Sequence, residues 1–265
     1  GIPDELPVAL SFFAQFSDFL AVRDNFRQTV LDQTSLVRLI QSSKLDLSSL
    51  AAGGSVPRLD PSRIYWSGGS LGGIMGTMTL AVEPEIRAGA LQVPGASFVQ
   101  LITTGSAKLA PLVGTLATSI FGVQGDEVLD EFHPIATLLG AVTETGDPIA
   151  YAPHVLRDPL AGREPPDVMI TYAAHDEVLP NIATAALIRA MDLDLASPSV
   201  IDLPGIAQVA SPASGNRGAR TAVAVQYSPA NHGLGYGRWE SHEFPPGVPF
   251  QEDPRFPHLA KGFKI

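Results

Sequence analysis

A parallel α/β sheet is what this sequence predicts, and three observations predict it. Short β-branched and aromatic runs alternate with helical stretches along the chain. That strand–helix–strand rhythm is the mark of βαβ units, with helices expected on both faces of the sheet. Hydrophobic residues make up 45% and charged residues 17% of the 265 residues, too apolar for a disordered chain and enough to bury a core. Gly (25) and Pro (23) are frequent but follow no period, so they supply defined turns rather than a fibrous repeat.

The elements follow in order. Residues 18–42 read as a helix: Phe26, Val30, Val37 and Ile40 share one face, and Arg23, Asp24, Arg27 and Asp32 are available for the other. Ser42 to Asp60 is a loop rich in Ser, Gly and Pro. Ile64-Tyr65-Trp66 is a strand, and Leu71 to Val82 a helix that ends near Pro84. Ala88 to Val93 is a second strand, closed by Pro94-Gly95. Residues 98–166 change character. They hold apolar clusters (Leu109, Leu112, Val113, Leu116, Ile120, Phe121), an acidic patch (Asp126, Glu127, Asp130, Glu131) and repeated Gly and Pro, which together predict short helices. Asp167 to Tyr172 is a strand and Asn181 to Ala190 a helix. Residues 202–220 are a loop, Thr221 to Tyr227 a strong strand, and the tail after Gly233 is Pro-rich. The division expected is a core part over 1–97, a helical insertion over 98–166 and a second core part over 167–265.

Charge and composition exclude several functions. The net charge is −10, which repels a polyanion, so nucleic acid is a poor partner. With no cysteine there are no disulfides, thiolate nucleophiles or Cys-based zinc sites. No run of about 18 apolar residues predicts an integral membrane segment. The acidic patch lacks the alternating ligands and glycine of a calcium loop and reads as a solvated helix face. No P-loop, H-E-x-x-H or dinucleotide fingerprint occurs. The chain opens at Gly1, and Pro3, Asp4, Glu5 and Pro7 are wrong for a leader.

The chemistry concentrates around Gly68-Gly69-Ser70-Leu71-Gly72, a G-x-S-x-G pattern. The pattern alone is weak in a chain rich in Gly and Ser. Its place after a strand and at the start of a helix is what a nucleophile elbow requires. Gly68 and Gly72, lacking Cβ, are expected to let strand and helix approach closely. The N–H of Leu71, at the helix start, can face a developing oxyanion. A serine needs a base. Of His133, His154, His175, His232, His242 and His258, His232 lies just past the strong strand Thr221 to Tyr227 and is the first choice, and His242 is the next. The base in turn needs a carboxylate to hold its tautomer. Asp176 follows the strand ending at Tyr172; Glu177 beside it is expected to face elsewhere, and His175 to be a partly exposed loop residue.

The order Ser70, Asp176, His232 is that of the α/β-hydrolase fold. The sequence resembles that superfamily, and within it bacterial extracellular lipases and esterases. The matching runs are Ala21 to Thr29, Ser67 to Gly73, Asp147 to His154 and Ala174 to Pro180. The resemblance implies a serine esterase or lipase acting on small-molecule or lipid esters, a helical lid, no cofactor, and an extracellular or cell-surface location. Acyl transfer, peptide hydrolysis, and an inactive binding protein on the same scaffold stand as alternatives. In that superfamily several strands precede the elbow, and one of their loops supplies a second oxyanion donor. Here one strand precedes it. The expectation is therefore of the carboxyl-terminal part of a longer protein, with N-terminal strands missing, either clipped or accompanied by an N-terminal polypeptide.

Overall fold

The computed structural model describes residues 18–42, 44–104, 114, 117–118, 121–124 and 127–236. Helix α1 (Phe19–Gln41) starts where Asp18 accepts the N–H of Ala21 at 3.0 Å. Phe26, Val30 and Val37 are buried as the spacing predicts, Val22 joins them, and Ile40 is half-buried. Strand β1 (Ile64–Gly69) runs three residues further than Ile64-Tyr65-Trp66. Glycines hide strand character from a propensity argument, but pairing with the next strand overrides it. Helix α2 (Leu71–Val82) follows, then β2 (Ile86–Gln92). Val93, expected in that strand, lies beyond it with φ 41°.

Between β2 and β3 the described residues include four short helices, α3 (Phe98–Thr103), α4 (Pro134–Thr143), α5 (Pro148–Tyr151) and α6 (Pro153–Leu156). Strand β3 (Asp167–Ala173), helix α7 (Asn181–Met191), β4 (Asp194–Ala196), β5 (Gln208–Val209) and β6 (Ala222–Tyr227) follow. The two short strands β4 and β5 were not expected. Three and two residues are too short to show alternation.

All pairings are parallel, and the order is β1-β2-β3-β6-β4-β5, so β6 inserts between β3 and β4. The registers Gly69↔Gln92, Gln92↔Thr171 and Ala173↔Tyr227 bring the carboxyl ends of β1, β2, β3 and β6 level. One core joins Ile64, Leu91, Val168, Ile170, Tyr172, Ala222 and Ala224 of the sheet to Leu80 of α2 and to Leu187, Ile188 and Met191 of α7. Leu80, Leu91, Ile170, Leu187 and Ile188 are fully buried. Each contributes about 1.5–3 kcal/mol.

The strand residues in that core alternate, so α2 and α7 cover the same face. Helix α1 lies beyond α2, where Phe26 meets Phe98 edge-on at 5.0 Å between ring centres. Helices on both faces were expected; among the described residues the opposite face of β1 shows Tyr65 and Ser67 exposed. Also among the described residues, no helix is long and apolar enough to cross a membrane.

Candidate active site

Ser70 stands between β1 and α2 with φ 54° and ψ −117°. A non-glycine residue there carries about 1–3 kcal/mol of backbone strain and persists only where its surroundings hold it. They do so through several bonds. Ser70 N–H donates to Gln92 O at 2.9 Å, and Ser70 O accepts from Gly73 and Ile74 N–H at 2.9 and 3.0 Å. Trp66 Nε1–H crosses the turn to Gly72 O at 3.0 Å.

A Cβ on Gly68 would stand 2.4 Å from Gly72 O, so only glycine fits. The same test corrects the expectation for Gly72: a Cβ there meets nothing within 4 Å. Gly76 is the other close approach, because a Cβ would lie 2.3 Å from Trp66 Nε1.

The loops after β3 and β6 run side by side. Ala174 N–H donates to Tyr227 O at 3.0 Å and His175 N–H to Ala230 O at 2.9 Å. Continued pairing carries Asp176 and His232 to the same rim as Ser70. Asp176 Oδ1 accepts Val178 and Leu179 N–H at 2.9 and 2.8 Å, closing a tight turn. Both of its oxygens lie 2.9 Å from His232 Nδ1. An ionised carboxylate only accepts, so Nδ1 carries the proton and Nε2 is left to accept. Ser70 Oγ sits 2.8 Å from Nε2 and donates to it. The side chains of His232 and Asp176 are 8% and 2% exposed, so the line is shielded from competing water.

The N–H groups of Leu71 and Gly72 are bonded to no carbonyl of the preceding strand, as at any helix start.

The structure therefore brings together Ser70, Asp176 and His232, with Leu71 next to them. His242 and His258 lie outside the described residues. His133 caps α4, accepting the N–H of Ile135, and lies 2.9 Å from Glu127. His154 bonds Asp158 O at 2.8 Å, and His175 is exposed. Among the described residues no group of acidic and histidine side chains is placed to hold a metal ion.

Three further residues were not singled out for these contacts. Glu177, expected to face elsewhere, accepts the main-chain N–H of His232 at 3.0 Å. Trp66 braces the elbow. Asp147 accepts the N–H groups of Ser97 and Ile149 at 2.9 and 3.0 Å and that of Phe98, pinning the loop after β2 to the starts of α3 and α5. Burial pushes its carboxyl up from the ordinary value, against those three bonds. A lone tryptophan among the small residues of the elbow was the one signal open to sequence reasoning.

The parallel, helix-flanked sheet with its strand–serine–helix turn is the architecture that the α/β-hydrolase fold class requires. No family model and no curated protein sequence matches the chain. Solved structures do. Acetyl xylan esterase 1 from Thermoanaerobacterium sp. JW/SL YS485 is 18% identical with a TM-score of 0.45, over 78% of this chain and 48% of that one. An acetyl xylan esterase from Paenibacillus sp. R4 is 13% identical with a TM-score of 0.47, over 89% and 52%. The acylaminoacyl peptidase of Pyrococcus horikoshii is 14% identical with a TM-score of 0.40, over 67% and 21%. The chain spans about half the length of the two esterases and about a fifth of the peptidase.

Proposed function

We propose that this protein is a serine hydrolase of the α/β-hydrolase superfamily that cleaves carboxylic esters through Ser70, His232 and Asp176. The observation that carries this is the unbroken hydrogen-bonded line from Asp176 through both ring nitrogens of His232 to Ser70 Oγ. A structural serine on a strained turn has no need of a buried imidazole–carboxylate pair behind it.

The chemistry follows from the protonation states. His232 Nε2 takes the Ser70 proton as Oγ attacks the ester carbonyl carbon. The carbonyl oxygen becomes an anion, and the N–H of Leu71, next to Ser70 at the start of α2, is the donor assigned to it here. The imidazolium, held at Nδ1 by the Asp176 carboxylate, then gives its proton to the departing alcohol oxygen. Water repeats the sequence on the acyl-enzyme, with His232 as base, and releases the acid and Ser70.

Finer parts of the proposal have their own support. The short helices between β2 and β3 support a cap over 98–166 between two core parts. The expectation of further strands beside β1 is supported by its place at the end of the described sheet and by the exposure of Leu31, Leu50, Val56 and Tyr65.

The test is hydrolysis of aryl esters from acetyl to long acyl, beside an emulsified triglyceride, an amide panel and added alcohols as acyl acceptors. Ester turnover is expected, and Ser70→Ala should abolish it and prevent labelling by a phosphonate probe while leaving the melting temperature in place. Wild-type turnover in Ser70→Ala sinks the proposal. Products only from amides or only in the presence of an acceptor alcohol would move the protein to peptide hydrolysis or acyl transfer.

A further inference from the structure

The imidazole of His232 is held at its ring, but a ring is only as well placed as its backbone. His232 opens a short 3-10 turn, His232–Tyr236, after a loop that leaves β6 at Tyr227. Its main-chain N–H is one of the orphan donors of such a turn, in a residue only 6% exposed. A buried donor of this kind needs an acceptor. The acceptor comes from far away in sequence: Glu177 Oε2, at 3.0 Å.

Two neighbouring carboxylates thus grip one histidine at two places. Asp176 accepts from ring Nδ1 at 2.9 Å, and Glu177 accepts from the backbone nitrogen at 3.0 Å. The dipeptide is itself fixed. Asp176 Oδ1 takes the N–H groups of Val178 and Leu179, which sets the path of the chain through Glu177. The loop after β6 is tied separately by His175 N–H to Ala230 O, and Gly233 N–H turns back to Asn231 Oδ1 at 3.0 Å. These bonds flank His232 but leave its own N–H to Glu177.

We propose that Glu177 is a positioning residue for catalysis: its carboxylate anchors the backbone of His232 so that Nε2 stays within reach of Ser70 Oγ. This rests on Ser70, His232 and Asp176 being the reacting side chains. Glu177 does not touch Ser70 and holds no reacting proton. Its effect runs through the placement of the base, where a displacement of about 1 Å costs on the order of a hundredfold in rate.

The experiment compares Glu177→Ala, Glu177→Gln and Glu177→Asp with wild type, using steady-state hydrolysis of a short aryl acetate and a thermal melt. Glutamine keeps an acceptor oxygen at the same reach without the charge, and aspartate keeps the charge one methylene short. Alanine is expected to lower kcat about ten- to a hundredfold with KM within about twofold, and aspartate to fall in the same direction. Glutamine should stay within about threefold of wild type, which neither a charge effect nor a folding defect would produce. Wild-type kcat in Glu177→Ala overturns the proposal. So does a loss in Glu177→Gln that exceeds the loss in Glu177→Asp, and this comparison stands even if the alanine variant does not fold. Ser70→Ala run in parallel separates the two levels. If it keeps activity, the catalytic assignment fails; if it is dead while Glu177→Ala is normal, only the anchoring role fails.

Discussion

Replacing Asp176 with asparagine isolates the role of its charge, because the surrounding bonds dictate how the amide sits. Val178 and Leu179 both donate N–H to Oδ1 at 2.9 and 2.8 Å, so the amide oxygen must stay there. The NH₂ then occupies the Oδ2 position, 2.9 Å from His232 Nδ1, while the amide oxygen keeps its own 2.9 Å contact to that nitrogen. The ring now has a neutral acceptor and a competing donor where it had a carboxylate, so the imidazolium loses its charged partner. The ring can also move its proton to Nε2 and accept from the NH₂ at Nδ1, and in that tautomer Nε2 no longer accepts from Ser70 Oγ, 2.8 Å away.

The base is disabled while its position is kept. Turnover is expected to fall by three to four orders of magnitude, about 4–5.5 kcal/mol of lost transition-state stabilisation. Folding should suffer far less. Charged acceptors become neutral ones at a cost of about 1–2 kcal/mol, or about 2–8 °C in melting temperature. The assay is single-turnover acylation with an aryl acetate beside a thermal melt. A folded Asp176→Asn protein that keeps more than a tenth of wild-type acylation refutes the assigned tautomer and with it the role of the aspartate.

Other predictions concern the frame. Gly68→Ala puts a Cβ 2.4 Å from Gly72 O and should cost about 3 kcal/mol or more with loss of activity, whereas Gly72→Ala, with open space around it, should raise stability by about 0.5–1 kcal/mol; equal urea midpoints would contradict the elbow packing. Arg163, its three guanidinium nitrogens without a hydrogen-bond partner among the described residues, has its pKa pushed by burial down to about 10, against the opposing pull of Glu83. Arg163→Met removes that charge while the fully buried Glu83 carboxylate keeps its nearest cation, the exposed Arg38 at 3.9 Å, so the cost should be about 1–3 kcal/mol. The double variant with Glu83→Gln should recover most of that in urea unfolding, and identical single and double variants would show that the two groups are not coupled.

The strands that form the sheet's centre were legible because each is a short apolar run bounded by turn residues, and the elbow because a serine between glycines joins a strand to a helix. Asp176 and His232 were legible for a related reason. Parallel strands send every following loop to one rim, so a titratable residue just past a strand is already close to the others. What stayed hidden depends on tertiary contact. β4 and β5 are too short for a pattern, and β1 continues through glycines that only a neighbour can hold extended. Glu177 gave no local sign, since its partner is a backbone nitrogen 55 residues away. The single-sided packing of α2 and α7 was equally unreadable, because a βαβ rhythm does not say which face a given helix takes.

The placement of the candidate site is in the end a property of strand register. Ser70 hangs from β1, which is tied to β2 by the bond from Ser70 N–H to Gln92 O; β2 pairs with β3, β3 with β6, and His232 follows β6. A slip of one residue at any of these pairings would move the histidine by about 3.3 Å along the strand direction and turn alternate side chains to the other face. That displacement exceeds the 2.8 Å contact it would have to preserve. The core opposes such a slip, since Val168, Ile170, Ala222 and Ala224 would leave their places beneath α2 and α7. Apolar packing on one face of the sheet thus fixes, to a fraction of a residue step, the meeting of three polar side chains at its rim. Strain at Ser70 is tolerated for the same reason: β1, paired with β2, has no other register to relax into.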